Sequence, residues 1–453
     1  EASLESVVAH RSPAGKRKVS KIPRRHEILS TGMSFPHLNK KTTTLLITAF
    51  YPPHHSGGFG LRCRDVAEGL RRRGHSLTIL TNRCELRGCR EHQNEERTLR
   101  LLALRPAGDN PLQQILFDRR ELLKVERVVR QVQPRLIYLC HMQNLSNAIL
   151  PFLAGQPTPL ILDDGGSELI YLSRLQKRGL YFYKNAGEPR LKTWLKRLVK
   201  TGARLVSGGR IVPDWQWPEG MRVLFNSPSA LEHARAQGGF VRNALVIPSG
   251  LDIARFPFKA APRIHTPLKI ILPARIKEQK GCLDGILLVD ELRRRSVPAQ
   301  LLIIGEAQSA AYLALLRREV EARRLSGQVD IRPMAGQDEM SRLYREHDFC
   351  FFPSSFKTGF SRVPLEAMAS GCLVLTYGNE GSREVVQDGA TGYLLPEGDV
   401  ATAAERVHAS TLDHAGYLRI LSTARRQVEE SNSLEDYLQK VEELLTRAGE
   451  TPS

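Results

Sequence analysis

Two cations, Arg275 and Lys280, flank the short loop ARIKEQKG that follows the apolar run LKIILP (268–273). An arginine fork beside a lysine point charge at a strand end suits a diphosphate; the plainer reading is two surface cations. A second group lies in FPSSFKTGFSRVPLEAMASG (352–371). There Gly359, Phe360 and Ser361 can present backbone N–H groups to a phosphate or sugar, and Pro364 suits the first turn of a helix. Glu366 then falls in that turn, facing a ligand. A carboxylate can accept both hydroxyls of a ribose, or can simply be a favourable charge near a helix N-terminus. A third group is YPPHHSGGFGLRCRD, where Gly57 and Gly58 open a helical pattern. Glycines let the backbone approach a ligand and a helix N-terminus favours an anion, although ordinary turns carry paired glycines too. The RRRGH that ends this helix is a structural C-terminus, cations followed by a glycine cap.

These groups need elements that bring them together. Short β-rich runs alternate with longer helical patterns, first at 44–50, 76–81, 99–104, 135–140, 159–163, 222–226 and 244–248. The series restarts at 268–273, 299–305, 328–333, 348–353, 372–376 and 392–395. Alternation of this kind specifies parallel strands with crossover helices. The expected fold is α/β, two Rossmann-like domains facing across a cleft, with ligands beyond the carboxyl ends of the strands. The proline-containing stretch ARFPFKAAPRIHTP (254–267) reads as the interdomain linker. The expected divisions are a basic leader over 1–43 without periodicity, domains over 44–256 and 257–430, and a C-terminal helix over 431–453 that can pack back on the first domain.

The 453 residues exceed one ordinary core, and 41% apolar with 25% charged residues is ordinary globular composition. No apolar run reaches the length of a membrane span. The formal charge of +18 implies either a solvated basic surface or an anionic partner, such as nucleotide phosphates or lipid headgroups. No zinc-finger spacing, aromatic RNA motif or helix-turn-helix is present, so nucleic acid is not the expected partner. The seven cysteines lack framework spacing, which suits a reducing, cytoplasmic location. Cys84, Cys89 and His92 are poorly spaced as metal ligands with no fourth ligand near, so no metal is expected. PRLKTWLKRLVKTG (189–202) is a basic amphipathic helix. It is read either as a packed helix with a solvated face or as a peripheral contact with the inner face of a membrane.

In this order, YPP..SGG with RRGH, IPSGLD (247–252) with Phe256, ARIKEQKG, LIIGEA (302–307), LYREHDFCFFPS, LEAMASGCLVL and EVVQDGATGYLL resemble the family 4 retaining glycosyltransferases of GT-B fold over about residues 44 to 445. The resemblance implies an N-terminal domain for the acceptor and a C-terminal domain for a UDP- or GDP-sugar, with no cofactor or metal. By it, Arg275 and Lys280 match the cationic pair on the donor diphosphate, Gly58 the glycine loop, and Glu366 the signature glutamate near the ribose. Glu384 matches a further acidic position. The first signature glutamate, near the sugar ring, is replaced by Thr358, which can hydrogen-bond a sugar hydroxyl but supplies no negative charge. Where the family often has His-Asp, this chain has Asp163 and Asp164, and His141 after IYLC is a second cleft candidate that can equally be structural. The implied activity is transfer of a sugar to an acceptor hydroxyl in polysaccharide, glycolipid or glycosylated-metabolite assembly, the acceptor being a glycan, a lipid-linked glycan or a small molecule. The alternatives are a catalytically impaired homologue acting as a nucleotide- or glycan-binding partner, and a basic nucleic-acid-binding protein.

Overall fold

The computed structural model describes residues 44–53, 58–83, 97–105, 110–142, 144–164, 190–216, 218, 220–236, 242–357, 359–379 and 381–450. The leader, Gly57, Cys84, Cys89, His92 and Thr358 lie outside the described residues. The first domain runs β1 (Thr44–Ile47), α1 (Gly58–Arg72), β2 (Leu77–Asn82), β3 (Thr98–Leu102), α2 (Pro111–Val132), β4 (Leu136–Leu139), α3 (Ile149–Ala154), β5 (Leu160–Asp164), α4 (Arg190–Val206), β6 (Arg222–Phe225), α5 (Pro228–Ala236) and β7 (Asn243–Val246). Its strands form one parallel sheet in the order β3-β2-β1-β4-β5-β6-β7.

The second domain runs β8 (Leu268–Pro273), α6 (Cys282–Arg294), β9 (Ala299–Ile304), α7 (Ala310–Ala322), β10 (Val329–Arg332), α8 (Gln337–Glu346), β11 (Phe349–Phe352), α9 (Val363–Ser370), β12 (Leu373–Thr376), α10 (Ser382–Val385), β13 (Tyr393–Leu394), α11 (Val400–Leu412), α12 (His414–Ser431) and α13 (Leu434–Glu450). Its sheet is parallel in the order β10-β9-β8-β11-β12-β13. Both sheets are therefore Rossmann-like and doubly wound. Their central strands are apolar without alternation because helices cover both faces: Leu45, Leu46 and Ile47, like Phe349, Cys350 and Phe351, have no exposed surface.

The chain passes between the domains twice, side by side. Leu251 N–H donates to Asn432 O at 2.8 Å and Leu434 N–H to Leu251 O at 3.0 Å. Gly250 is required there, since a Cβ would lie 2.6 Å from Ser433 O and 2.8 Å from Leu434 Cα. Helix α13 then packs on the first domain, where Tyr437, Leu438 and Val441 share a core with Cys63, Val66, Leu70 and Tyr138. The five described cysteines are buried and form no disulfide with one another, packing as small apolar side chains.

Candidate active site

The cationic loop is built from backbone constraints. After β8, Gly305 at the end of β9 leaves no room for a side chain, because a Cβ would sit 1.9 Å from Ala274 O. That close approach fixes the exit of β8 just before Arg275. Gly281 has φ +64°, and a Cβ would stand 2.3 Å from Pro353 O. The loop is thereby pressed against the end of β11, and Ser355 N–H donates to Gln279 O at 3.0 Å. The 274–281 loop and residues 353–357 thus form one ledge at the carboxyl edge of the sheet. Asn379 after β12 ties into it by donating to Ser354 O at 2.8 Å.

Lys280 is buried, its ammonium 5.4 Å from the centre of the Phe356 ring. Lys277 lies over the same ring at 4.8 Å. The aromatic face attracts both cations and orders the loop. Arg275 is half-buried. Cys282, which opens α6, is no nucleophile, since burial pushes its thiol up to about 12. Gly359 takes φ +88°. Phe360 is seated on Gly381, whose Cβ would meet its ring at 2.6 Å.

Glu366 lies in the first turn of α9, but it does not project into open space. It is only 9% exposed because Arg362, one helical turn earlier, and Tyr344 of α8 cover it. Arg362 Nε lies 3.4 Å from Glu366 Oε1, and Tyr344 OH donates to Oε2 at 3.2 Å. Burial raises the Glu366 pKa above the usual carboxylate value, against the opposing pull of Arg362 and Tyr344. Arg362 also crosses to the other domain, donating from Nη1 to Asp65 of α1 at 2.6 Å. Burial works against the Arg362 charge, but Asp65 and Glu366 more than offset it and raise its pKa. Beside it, Arg64 Nη2 donates to Gln337 of α8 at 2.6 Å, a second tie between domains. A third is Ser229 N–H, at the start of α5, which donates to Glu384 Oε1 at 2.8 Å.

Gly58 stands at the start of α1, directly against Arg362: a Cβ there would lie 3.5 Å from Arg362 Cδ, an ordinary contact. The remaining first-domain residues end neighbouring strands. His141, 7% exposed, packs against Phe59 at 4.9 Å and Phe50 at 5.6 Å between ring centres. Asp163 does not form a polar pair turned to a ligand. It is fully buried, accepting from Tyr138 OH at 2.6 Å and pairing with Arg62. Asp164 is also without exposed surface, in register with Phe225. Arg275, Lys280, Gly359, Phe360, Ser361 and Glu366 thus share the second domain's carboxyl edge, with Gly58 opposite across the Arg362 contact. His141 and Asp164 lie on the first domain's own edge. Sequence reasoning missed Arg362 and Asp65. The Arg362–Glu366 spacing was a readable signal, whereas Asp65 needed the fold. Among the described residues no group of His, Cys, Asp and Glu is arranged to hold a metal.

Residues 255–427 match the family model of the glycosyl transferases group 1. The chain is 31% identical over 186 residues to a glycogen synthase of Mycobacterium tuberculosis, an alignment covering 40% of this chain and 43% of that one. It is 28% identical over 186 residues to the putative colanic acid biosynthesis glycosyltransferase WcaL of Escherichia coli, covering 40% and 45%. The chain thus spans less than half the length of these curated relatives. The structure of Anabaena Alr3699/HepE in complex with UDP and glucose superposes with a TM-score of 0.64 at 17% identity, over 90% of this chain and all of that one. That likeness establishes the fold, the two-domain GT-B arrangement.

Proposed function

We propose that this protein is a retaining glycosyltransferase. It moves a sugar from a UDP- or GDP-sugar to an acceptor hydroxyl in the assembly of a polysaccharide, glycolipid or glycosylated metabolite. The observation that carries the reading is the ledge on which Arg275 and Lys280 stand beside residues 353–357 and Glu366. Arg275 and Lys280 offset charge building on the leaving diphosphate, the stabilisation that counts most when a phosphate departs. Glu366 receives the ribose. Retention follows front-face substitution, with the leaving phosphate taking the acceptor proton and no metal required. His141, which keeps some surface, and Asp164 are the acceptor-side candidates. The test is titration of UDP and GDP into the wild type, Arg275→Ala and Lys280→Ala. Each variant should bind its nucleotide about tenfold more weakly, the scale of one charge-assisted contact. Unchanged affinity in both would refute the placement of the phosphates. Transfer assays with added chelator test the metal-free part of the reading.

Thr358 favours a second reading, an impaired homologue that binds nucleotide without turnover. Nucleotide binding with no transfer from any donor in a panel of sugar nucleotides would select it.

The acceptor is best sought at a membrane on the cytoplasmic side. Helix α4 contains no acidic residue, and it exposes Leu191 (69%), Trp194 (56%) and Leu195 (49%) beside Lys192, Lys196 and Arg197. Its far end meets α2, where Arg119 Nε donates to Val206 O at 2.8 Å and Leu112 and Leu116 are exposed. Apolar side chains interleaved with cations suit an anionic bilayer surface. None of the described helices is long and apolar enough to cross a membrane. Sedimentation with anionic and with neutral lipid vesicles checks this: Trp194→Glu with Leu191→Glu should abolish binding to the anionic set. Equal binding of the wild type to both sets, or none, would refute it.

A further inference from the structure

We propose that Arg362 is a second ribose-binding residue beside Glu366, and that its tie to Asp65 makes ribose recognition depend on the two domains being closed. The inference rests on the donor reading of Glu366 given above.

Arg362 is 7% exposed and, among the described residues, its Nε has no hydrogen-bond partner. A buried guanidinium N–H without an acceptor is costly, and such groups commonly meet their acceptor in a ligand. This one lies 3.4 Å from Glu366 Oε1, too poorly directed to count as a hydrogen bond to it. A ribose hydroxyl is both donor and acceptor. Placed between the two groups, it accepts from Nε and donates to the carboxylate. Each carboxylate oxygen can accept more than one hydrogen bond, so Tyr344 OH on Oε2 need not be displaced.

The other end of the guanidinium sets the condition. Nη1 is held by Asp65, 6% exposed and carried by the first domain, at 2.6 Å. Two carboxylates from different domains therefore orient one planar fork, which has little freedom to turn. If the domains separate, Asp65 leaves and Nε loses its orientation. Gly58 lies beside the same contact, where an added Cβ would stand 3.5 Å from Arg362 Cδ and 3.7 Å from Cγ.

The test compares UDP and GDP with their 2′,3′-dideoxy counterparts, which lack the ribose hydroxyls, by calorimetric titration of the full chain. The wild type should prefer the hydroxylated nucleotide. Arg362→Gln should reduce that preference about tenfold, the scale of one hydrogen bond to a charged group, while the dideoxy compound binds nearly as before. Asp65→Asn should weaken the hydroxylated nucleotide and raise the radius of gyration in small-angle scattering. A loss shared equally by both nucleotides in Arg362→Gln, or no loss, overturns the inference and leaves the donor reading standing. A wild type that binds neither UDP nor GDP overturns the donor reading itself. Should Arg362→Gln fail to fold in a thermal melt, Arg362→Lys repeats the comparison. It keeps the charge but lacks the Nε–H, so it too should lose the preference, and a retained preference overturns the proposal.

Discussion

Replacing Gly281 by alanine tests whether the cationic loop is held where the structure puts it. Two penalties apply at this position. The first is conformational: φ is +64°, where an L side chain crowds its own carbonyl at roughly 1–2 kcal/mol. The second is steric, because the new Cβ would lie 2.3 Å from Pro353 O, a backbone atom that cannot rotate away. Relieving such an overlap moves the loop or the strand end, and overpacking of this kind costs about 1–3 kcal/mol. The sum is roughly 2–5 kcal/mol. Gly389 is the control, since its φ is +72° but nothing stands within 4 Å of its Cβ position. Gly389→Ala should lose only the conformational part, about 1–2 kcal/mol. Urea unfolding of both variants, followed by a probe of the second domain, gives the difference. UDP or GDP titration gives the functional consequence, because Lys280 precedes Gly281 and must move with it. Equal destabilisation by the two substitutions would show that Pro353 does not press on the loop, and the geometry of the ledge would then be wrong.

Further expectations concern the supports of this architecture. Asp348→Asn removes a buried carboxylate that accepts from the backbone N–H groups of His265 (3.1 Å) and Lys269 (2.9 Å) and meets His265 Nδ1 at 2.6 Å. Urea unfolding should show a loss of about 2–4 kcal/mol, since buried donors are left poorly matched. Glu442 on α13 is held below the usual carboxylate range by His75 first and then Arg73. A lowered folded pKa gives stability that is complete above the ordinary glutamate value and is lost as pH falls through the lowered one. Glu442→Gln should therefore flatten the acid side of the stability profile below about pH 4.5. Thr358→Glu restores an acid before Glu366. A gain of turnover would mean that the native site is impaired, and a changed donor preference without a gain would mean that it is retuned.

Much of the architecture follows from pattern. Alternating apolar runs and helical stretches specify parallel strands with crossovers, because a strand buried on both faces must be apolar throughout. The glycines of ARIKEQKG and LIIGEA were visible as residues, but the backbone oxygens that require them, Pro353 O and Ala274 O, come from distant strands. Side-chain type and spacing likewise brought Arg275, Lys280 and Glu366 forward as candidates, and the family resemblance chose between their ligand and plain surface readings. Only the tertiary structure decided what surrounds Glu366. A charge one turn earlier is local and readable, yet whether Arg362 turns to solvent, to Glu366 or to the other domain depends on where α1 lies. Asp65 sits 297 positions away and reaches Arg362 only because the two sheets face each other. The sequence by itself determined the kind of groups at the carboxyl edge of the second domain. The packing of one domain on the other determined their partners, because burial between two surfaces selects contacts that no local pattern records.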